Sequence, residues 1–183
     1  MHGPLSAAWL LVALCAATGA YCLLRMRSRV EEQRRTAGDE ALMGFGMALM
    51  ALPAAVLTPP PWAWLLYATV FGAAALRALW AARRGARHLH HLVGTFAMAY
   101  MAVEMAARPA AHAEHGTAGT PALTGVLLGY FAVYVLWSGA RLVPAATGAV
   151  GGPSLGGWGD RPELARACRL SMGIGTLAML LTM

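Results

Sequence analysis

The sequence predicts an all-α fold: a polytopic transmembrane helical bundle of about six spans, with both termini outside the cytoplasm. Three observations carry that expectation. Hydrophobic residues make up 58% of the chain and charged residues 12%, against roughly half and a quarter in a soluble domain. Six apolar stretches approach the ~20 residues that cross a hydrocarbon core. The arginines collect in alternate connections between those stretches. At 183 residues the chain is read as one transmembrane domain, 1–183, with no room for a soluble catalytic domain beside it.

The spans are expected near 5–24, 41–57, 62–82, 89–107, 123–143 and 164–183. The first begins Met1-His2-Gly3-Pro4, without the basic segment of a cleaved signal, so it is expected to be kept as a span. The second is short, with Pro53 in its last turn. Thr58-Pro59-Pro60-Pro61 then forces an extended turn and makes spans two and three a tight hairpin. Trp62, Trp64 and Tyr67 begin the third span and Trp80 lies near its end, at depths that suit amphipathic aromatics. The fifth carries a Tyr130, Tyr134, Trp137 stripe, read as packing or lipid-facing. Between the last two spans, 144–161 is glycine-rich, lacks a phosphate-binding motif and reads as a flexible cytoplasmic linker.

Orientation follows from the arginines. Connection one holds Arg25, Arg27, Arg29, Arg34 and Arg35. Connection three holds Arg83, Arg84 and Arg87, with Arg77 just before it. Connection five holds Arg141 and Arg161, with Arg166 and Arg169 opening the last span. Connection two has none and connection four only Arg108. Basic residues stay on the cytoplasmic side, so connections one, three and five face the cytoplasm of a multi-pass plasma-membrane protein.

The net charge of +6 does not indicate nucleic acid, because there is no lysine and the arginines sit beside apolar runs. No H-E-x-x-H, G-x-S-x-G or paired intramembrane aspartates are present. The chain is therefore not expected to be an enzyme, and the lipid bilayer is its expected environment. Cys15 and Cys22, about 10 Å apart along one helix, cannot form a disulfide with each other and read as buried free thiols.

The chemical signal lies in the even-numbered spans. Of eleven methionines, only Met1 and Met26 fall outside them. At about 100° per residue, Glu40, Met43, Met47 and Met50 share one helical arc of about 80°. His91, Thr95, Met98 and Met105 share another, with His88 on its flank and Met101 at its edge. Cys168, Met172, Gly175, Met179 and Met183 form a third. Each stripe is headed by a stronger donor: Glu40, His91 or Cys168. Thioether, thiol and imidazole donors suit soft ions such as Cu(I). The stripes are expected to converge, with His91 approaching Glu40 or Cys168. Leu42–Met47, Leu92–Met98 and Ser171–Thr176 also open alike, as a weak repeat of a two-helix hairpin would. Methionine is equally a pliable core filler, so plain packing stands beside the metal reading. His112-Ala113-Glu114-His115 is a weak second candidate for a divalent ion.

These segments carry a resemblance. Glu40-Ala-Leu-Met43-Gly-Phe-Gly-Met47-Ala-Leu-Met50, His90-His91 leading to Ala97-Met98-Ala-Tyr-Met101, and Cys168…Met172…Met179 together resemble an actinobacterial family of small integral membrane proteins, domain of unknown function 5134. The resemblance spans nearly the whole chain. It implies a multi-span helical topology, with the acidic head, histidine pair and methionines recurring, and no assigned activity. The leading functional expectation is soft-metal binding or handling, with copper the candidate ion, through Glu40, Met43, Met47, Met50, His91, Met98, Met101, Cys168, Met172 and Met179. The alternative is a non-catalytic structural or accessory membrane subunit. A haem-binding redox subunit using His91 and a methionine is third.

Overall fold

The structure, a computed structural model, describes residues 4–27, 31–53, 56–83, 89–107, 120–147 and 162–182. Its regular structure is helical. In chain order the helices are α1 (Pro4–Arg25), α2 (Glu31–Met50), α3 (Pro61–Ala82), α4 (Leu89–Ala107), α5 (Pro121–Thr147) and α6 (Pro162–Leu181). Proline opens α1, α3, α5 and α6, a position where its missing N–H forfeits no helical hydrogen bond.

Four segments are long and apolar enough to cross a membrane: Ser6–Arg25, Pro61–Ala82, Pro121–Leu142 and Glu163–Leu181. Leu10, Leu76, Trp80, Val126 and Leu136 on these helices are exposed. So much exposed apolar surface marks an interaction or membrane face, as a membrane protein requires.

Three expected boundaries shift. α2 starts at Glu31 and stops at Met50, where the sequence placed a span over 41–57. The stop has a local cause, because Pro53 disfavours helix in the residue before it. The apolar part of α2, 41–50, is about 15 Å long, half of a ~30 Å hydrocarbon core. α4 keeps its expected bounds but carries His90, His91 and Glu104, and neither it nor α2 is among the four apolar spans. α5 continues through Pro144 to Thr147, so the expected linker begins as helix. The rest of that linker, His88, and the His112-Ala113-Glu114-His115 segment lie outside the described residues.

The chain divides into two compact units, Met1–Pro53 with Tyr130–Leu177, and Ala54–Gly129 with Ala178–Met183. In the first, α1 and α2 pack as an antiparallel hairpin. Gly44 permits the contact: a Cβ there would lie 2.9 Å from the Gly19 Cα and 3.1 Å from the Cys15 carbonyl oxygen. α6 runs parallel to α2, since Glu40 meets Arg169 and Met47 meets Thr176 at the same sequence separation of 129. It runs antiparallel to α1, since Thr18 meets Ser171 at 3.0 Å and Cys15 meets Gly175 about one turn further along. On α5, Tyr130 stacks with Tyr134, Tyr134 packs over Gly173 of α6, and Arg141 covers the Trp137 ring at 3.7 Å.

In the second unit α3 packs against α4. Phe71, Ala74 and Ala78 form the buried face of α3, and Gly94, Thr95, Ala97, Met98, Met101 and Ala102 lie in that of α4. The Tyr100 hydroxyl ties down the start of α5. It accepts from the Thr120 amide at 3.0 Å and lies 2.9 Å from the Thr124 hydroxyl.

Candidate functional site

The site begins on α1. Cys15, Thr18, Cys22 and Arg25 are all buried. Their spacings of three, four and three place them on one arc of about 80°. A largely apolar helix thus turns these four side chains into the first unit.

α2 supplies the counter-charge. Glu40 is 5% exposed and Arg25 also 5%. Arg25 Nη1 donates to Glu40 Oε2 at 2.6 Å, and Arg169 Nε of α6 donates to Glu40 Oε1 at 2.7 Å. An isolated buried carboxylate is strongly disfavoured; charge-assisted bonds to two guanidinium groups resolve that cost. Two positive charges on one negative leave the cluster with an excess charge of +1. Arg25 Nε, although buried, has no hydrogen-bond partner among the described residues.

Thiols lie against this cluster. Cys22, 0% exposed, donates from Sγ to Glu40 Oε2 at 3.7 Å, and Cys168 directly precedes Arg169 on α6. Deeper in the same helix triplet is a sulfur pair. A Cβ on Gly175 would meet Cys15 Sγ at 3.3 Å and Met47 Sδ at 3.5 Å, so both sulfurs converge on that glycine. Thr176 donates from its hydroxyl to Met47 Sδ at 3.4 Å. All three cysteines are free thiols.

The expected donors are distributed as follows. Glu40, Met43 and Met47 are buried on α2, with Met50 half-buried at its end; Met172 is buried and Cys168 half-buried on α6. These belong to the first unit, where Glu40 binds Arg169, the residue after Cys168. Met98 and Met101 are buried on α4, and His91 is half-buried in its first turn; they belong to the second unit. Met179 is buried on the last turns of α6. Glu40 is not the open donor that the stripe suggested, because each of its oxygens already accepts from an arginine. Among the described residues, no group of three or more His, Cys, Asp and Glu side chains is arranged to hold a metal ion. What the stripes missed is α1. Cys15, Cys22 and Arg25 complete the cluster, and their signal was present as the 3-4-3 spacing of non-aliphatic residues in an apolar span.

No curated protein matches this sequence, and no solved structure matches it. The family model described as a domain of unknown function, DUF5134, matches residues 32–183, taking in α2 almost whole and α3 to α6 while leaving out α1. With that match covering most of the chain, the protein belongs to the DUF5134 family.

Proposed function

We propose that this chain is a six-span plasma-membrane protein, with both termini outside, that binds a soft metal ion inside the α1–α2–α6 cluster and is not an enzyme. One observation carries the metal reading: the buried Cys22 thiol lies against Glu40 in the Arg25–Glu40–Arg169 network, and Cys168 is the residue before Arg169 on α6. Thiolates select soft ions, with Cu(I) foremost. Guanidinium groups beside them offset the charge that the thiols acquire on binding. The Cys15–Met47 pair, about 10 Å further along the helices, offers a second soft site toward which an ion would pass.

The six-span reading has support of its own. α2 is too polar to face lipid alone, yet it follows α1 from Arg25, paired with Glu40, to Cys15, beside Gly44. Glu40, its buried charge, is paired inside the unit with Arg25 and Arg169. The arginine distribution then sets the orientation, with Cys22 and Cys168 at the cytoplasmic end.

The test is Cu(I) bound to detergent-purified protein under reducing conditions. We expect bound copper in the wild type and its loss in Cys22→Ala and Cys168→Ala. Wild-type protein with no copper above the detergent blank would end this reading. A structural or accessory subunit would then stand in its place, a reading favoured by the saturation of Glu40 by two arginines and by the burial of Met43, Met47, Met98 and Met101.

A further inference from the structure

α6 begins with two arginines on one face, and Glu40 of α2 holds one of them in place. We infer that Arg166 and Arg169 form a binding site for the phosphate of an anionic lipid headgroup, with Glu40 as the residue that positions Arg169. The inference is independent of the metal reading and of which side of the membrane this end of α6 faces.

Guanidinium geometry is the first ground. Arg169 Nε donates to Glu40 Oε1 at 2.7 Å, and Arg25 Nη1 donates to Glu40 Oε2 at 2.6 Å. The Arg25 and Glu40 side chains are each 6% exposed, so the carboxylate is fixed from inside the unit, whereas the Arg169 side chain is 46% exposed. A guanidinium carries five N–H donors in a planar fork. Glu40 uses Nε, and among the described residues Nη1 and Nη2 of Arg169 have no hydrogen-bond partner. The edge formed by those two nitrogens matches two oxygens of a phosphate. Arg169 is thus oriented by one carboxylate while its charge stays accessible.

Arg166 is the second ground. It lies three residues before Arg169, on the same face of α6, and is exposed. Among the described residues it makes no hydrogen bond or ion pair. The acidic residue nearest to it along the helix is Glu163, exposed in the first turn, and the two form no ion pair. Two guanidinium groups on neighbouring positions, one of them pre-set, are suited to one shared anion.

Depth is the third ground, and it decides the source of the phosphate. The apolar segment Glu163–Leu181 has 19 residues, or about 28 Å of helix, close to the ~30 Å of a hydrocarbon core. Arg166 and Arg169 lie about 5 and 9 Å from its start. Arginine side chains at that depth extend toward the interface, which is where lipid phosphates are concentrated.

The test uses delipidated full-length protein in a neutral detergent, with phosphatidylglycerol, phosphatidylcholine or inorganic phosphate added at matched concentrations and binding read by native mass spectrometry. The variants are Arg166→Gln, Arg169→Gln, the double variant, Glu163→Gln, and Arg35→Gln as an exposed-arginine control on α2. Circular dichroism and gel filtration check that each is folded. Arg166→Gln breaks no contact among the described residues, so it tests the site even if Arg169→Gln fails to fold. We expect wild type to prefer phosphatidylglycerol. Each arginine variant should weaken that binding about fivefold, the order expected for one arginine near an anionic surface, and Glu163→Gln should strengthen it. Arg35→Gln should leave it unchanged. Equal binding of phosphatidylglycerol and phosphatidylcholine by wild type overturns the inference. Inorganic phosphate that displaces the lipid at equal concentration overturns the lipid as its source. An unchanged preference in Arg166→Gln, or in a folded double variant, overturns the assignment to α6.

Discussion

Glu40 shows how much depends on partners at the scale of one side chain. Its carboxylate is buried, and two guanidinium groups take its two oxygens. Breaking a buried pair by removing one member typically costs about 3–5 kcal/mol, because the other charge stays behind. Glu40→Gln keeps the shape and removes the charge, leaving Arg25 and Arg169 facing each other across a neutral amide. Glu31→Gln is the matched control, because the Glu31–Arg35 pair has side chains that are 62% and 78% exposed, and such a pair is worth under about 1 kcal/mol. We expect Glu40→Gln to lower the thermal unfolding midpoint in detergent far more than Glu31→Gln. Equal shifts would mean that the buried network does not hold the helices together. At the same scale Met47 has specific neighbours: its Sδ lies 3.4 Å from the Thr176 hydroxyl and shares the space over Gly175 with Cys15.

At the scale of helices, closeness is set by glycines on particular faces. Small residues let helices approach where no hydrophobic force drives them together. Gly44 has backbone of α1 within 2.9 Å of the place its Cβ would occupy, and backbone cannot swing aside as a side chain can. Gly44→Ala should therefore force the α1–α2 hairpin apart, at a cost of about 1–3 kcal/mol. Gly129, on α5, has open space at the same position. Gly129→Ala should be neutral or stabilising by up to about 1 kcal/mol, through helix propensity. Unfolding midpoints of the two variants, measured side by side, check this; a stable Gly44→Ala protein would show that the two helices do not approach so closely. The separation matters for the candidate site, since Cys22 and Arg25 reach Glu40 across this same contact.

For the molecule as a whole, the proposed topology is tested at the connections between helices. The proposed topology, six spans with both termini outside, would place 110–119 outside and 148–161 in the cytoplasm. A reporter active only outside the cytoplasm, inserted into each segment in turn, should give activity in 110–119 alone. Activity from 148–161 would reverse the orientation and move Cys22 and Cys168 to the outer end. Activity from both would remove a crossing from the six.

The helices themselves were legible in the sequence. Apolar run length, proline at first helical positions and Pro53 after α2 act locally, through backbone sterics and the cost of exposing apolar surface, and need no knowledge of neighbours. The burial of Met47, Met98, Met101 and Met172 was also foreshadowed, because a 3.6-residue period marks an inward face. The start of α2 was not, since Glu31 to Asp39 are too polar for a span and only the hairpin with α1 shows where they belong. Arg25 could be read as a topology marker, and whether it points to headgroups or into a carboxylate depends on where α2 lies. Cys22 looked like an inert thiol for the same reason. Composition and periodicity determine that helices form and which face turns inward. Which inward faces meet, and hence that a thiol of α1, a carboxylate of α2 and a guanidinium of α6 share one point, is decided by helix register. That register is a property of packing between segments distant in sequence, and only the tertiary structure contains it.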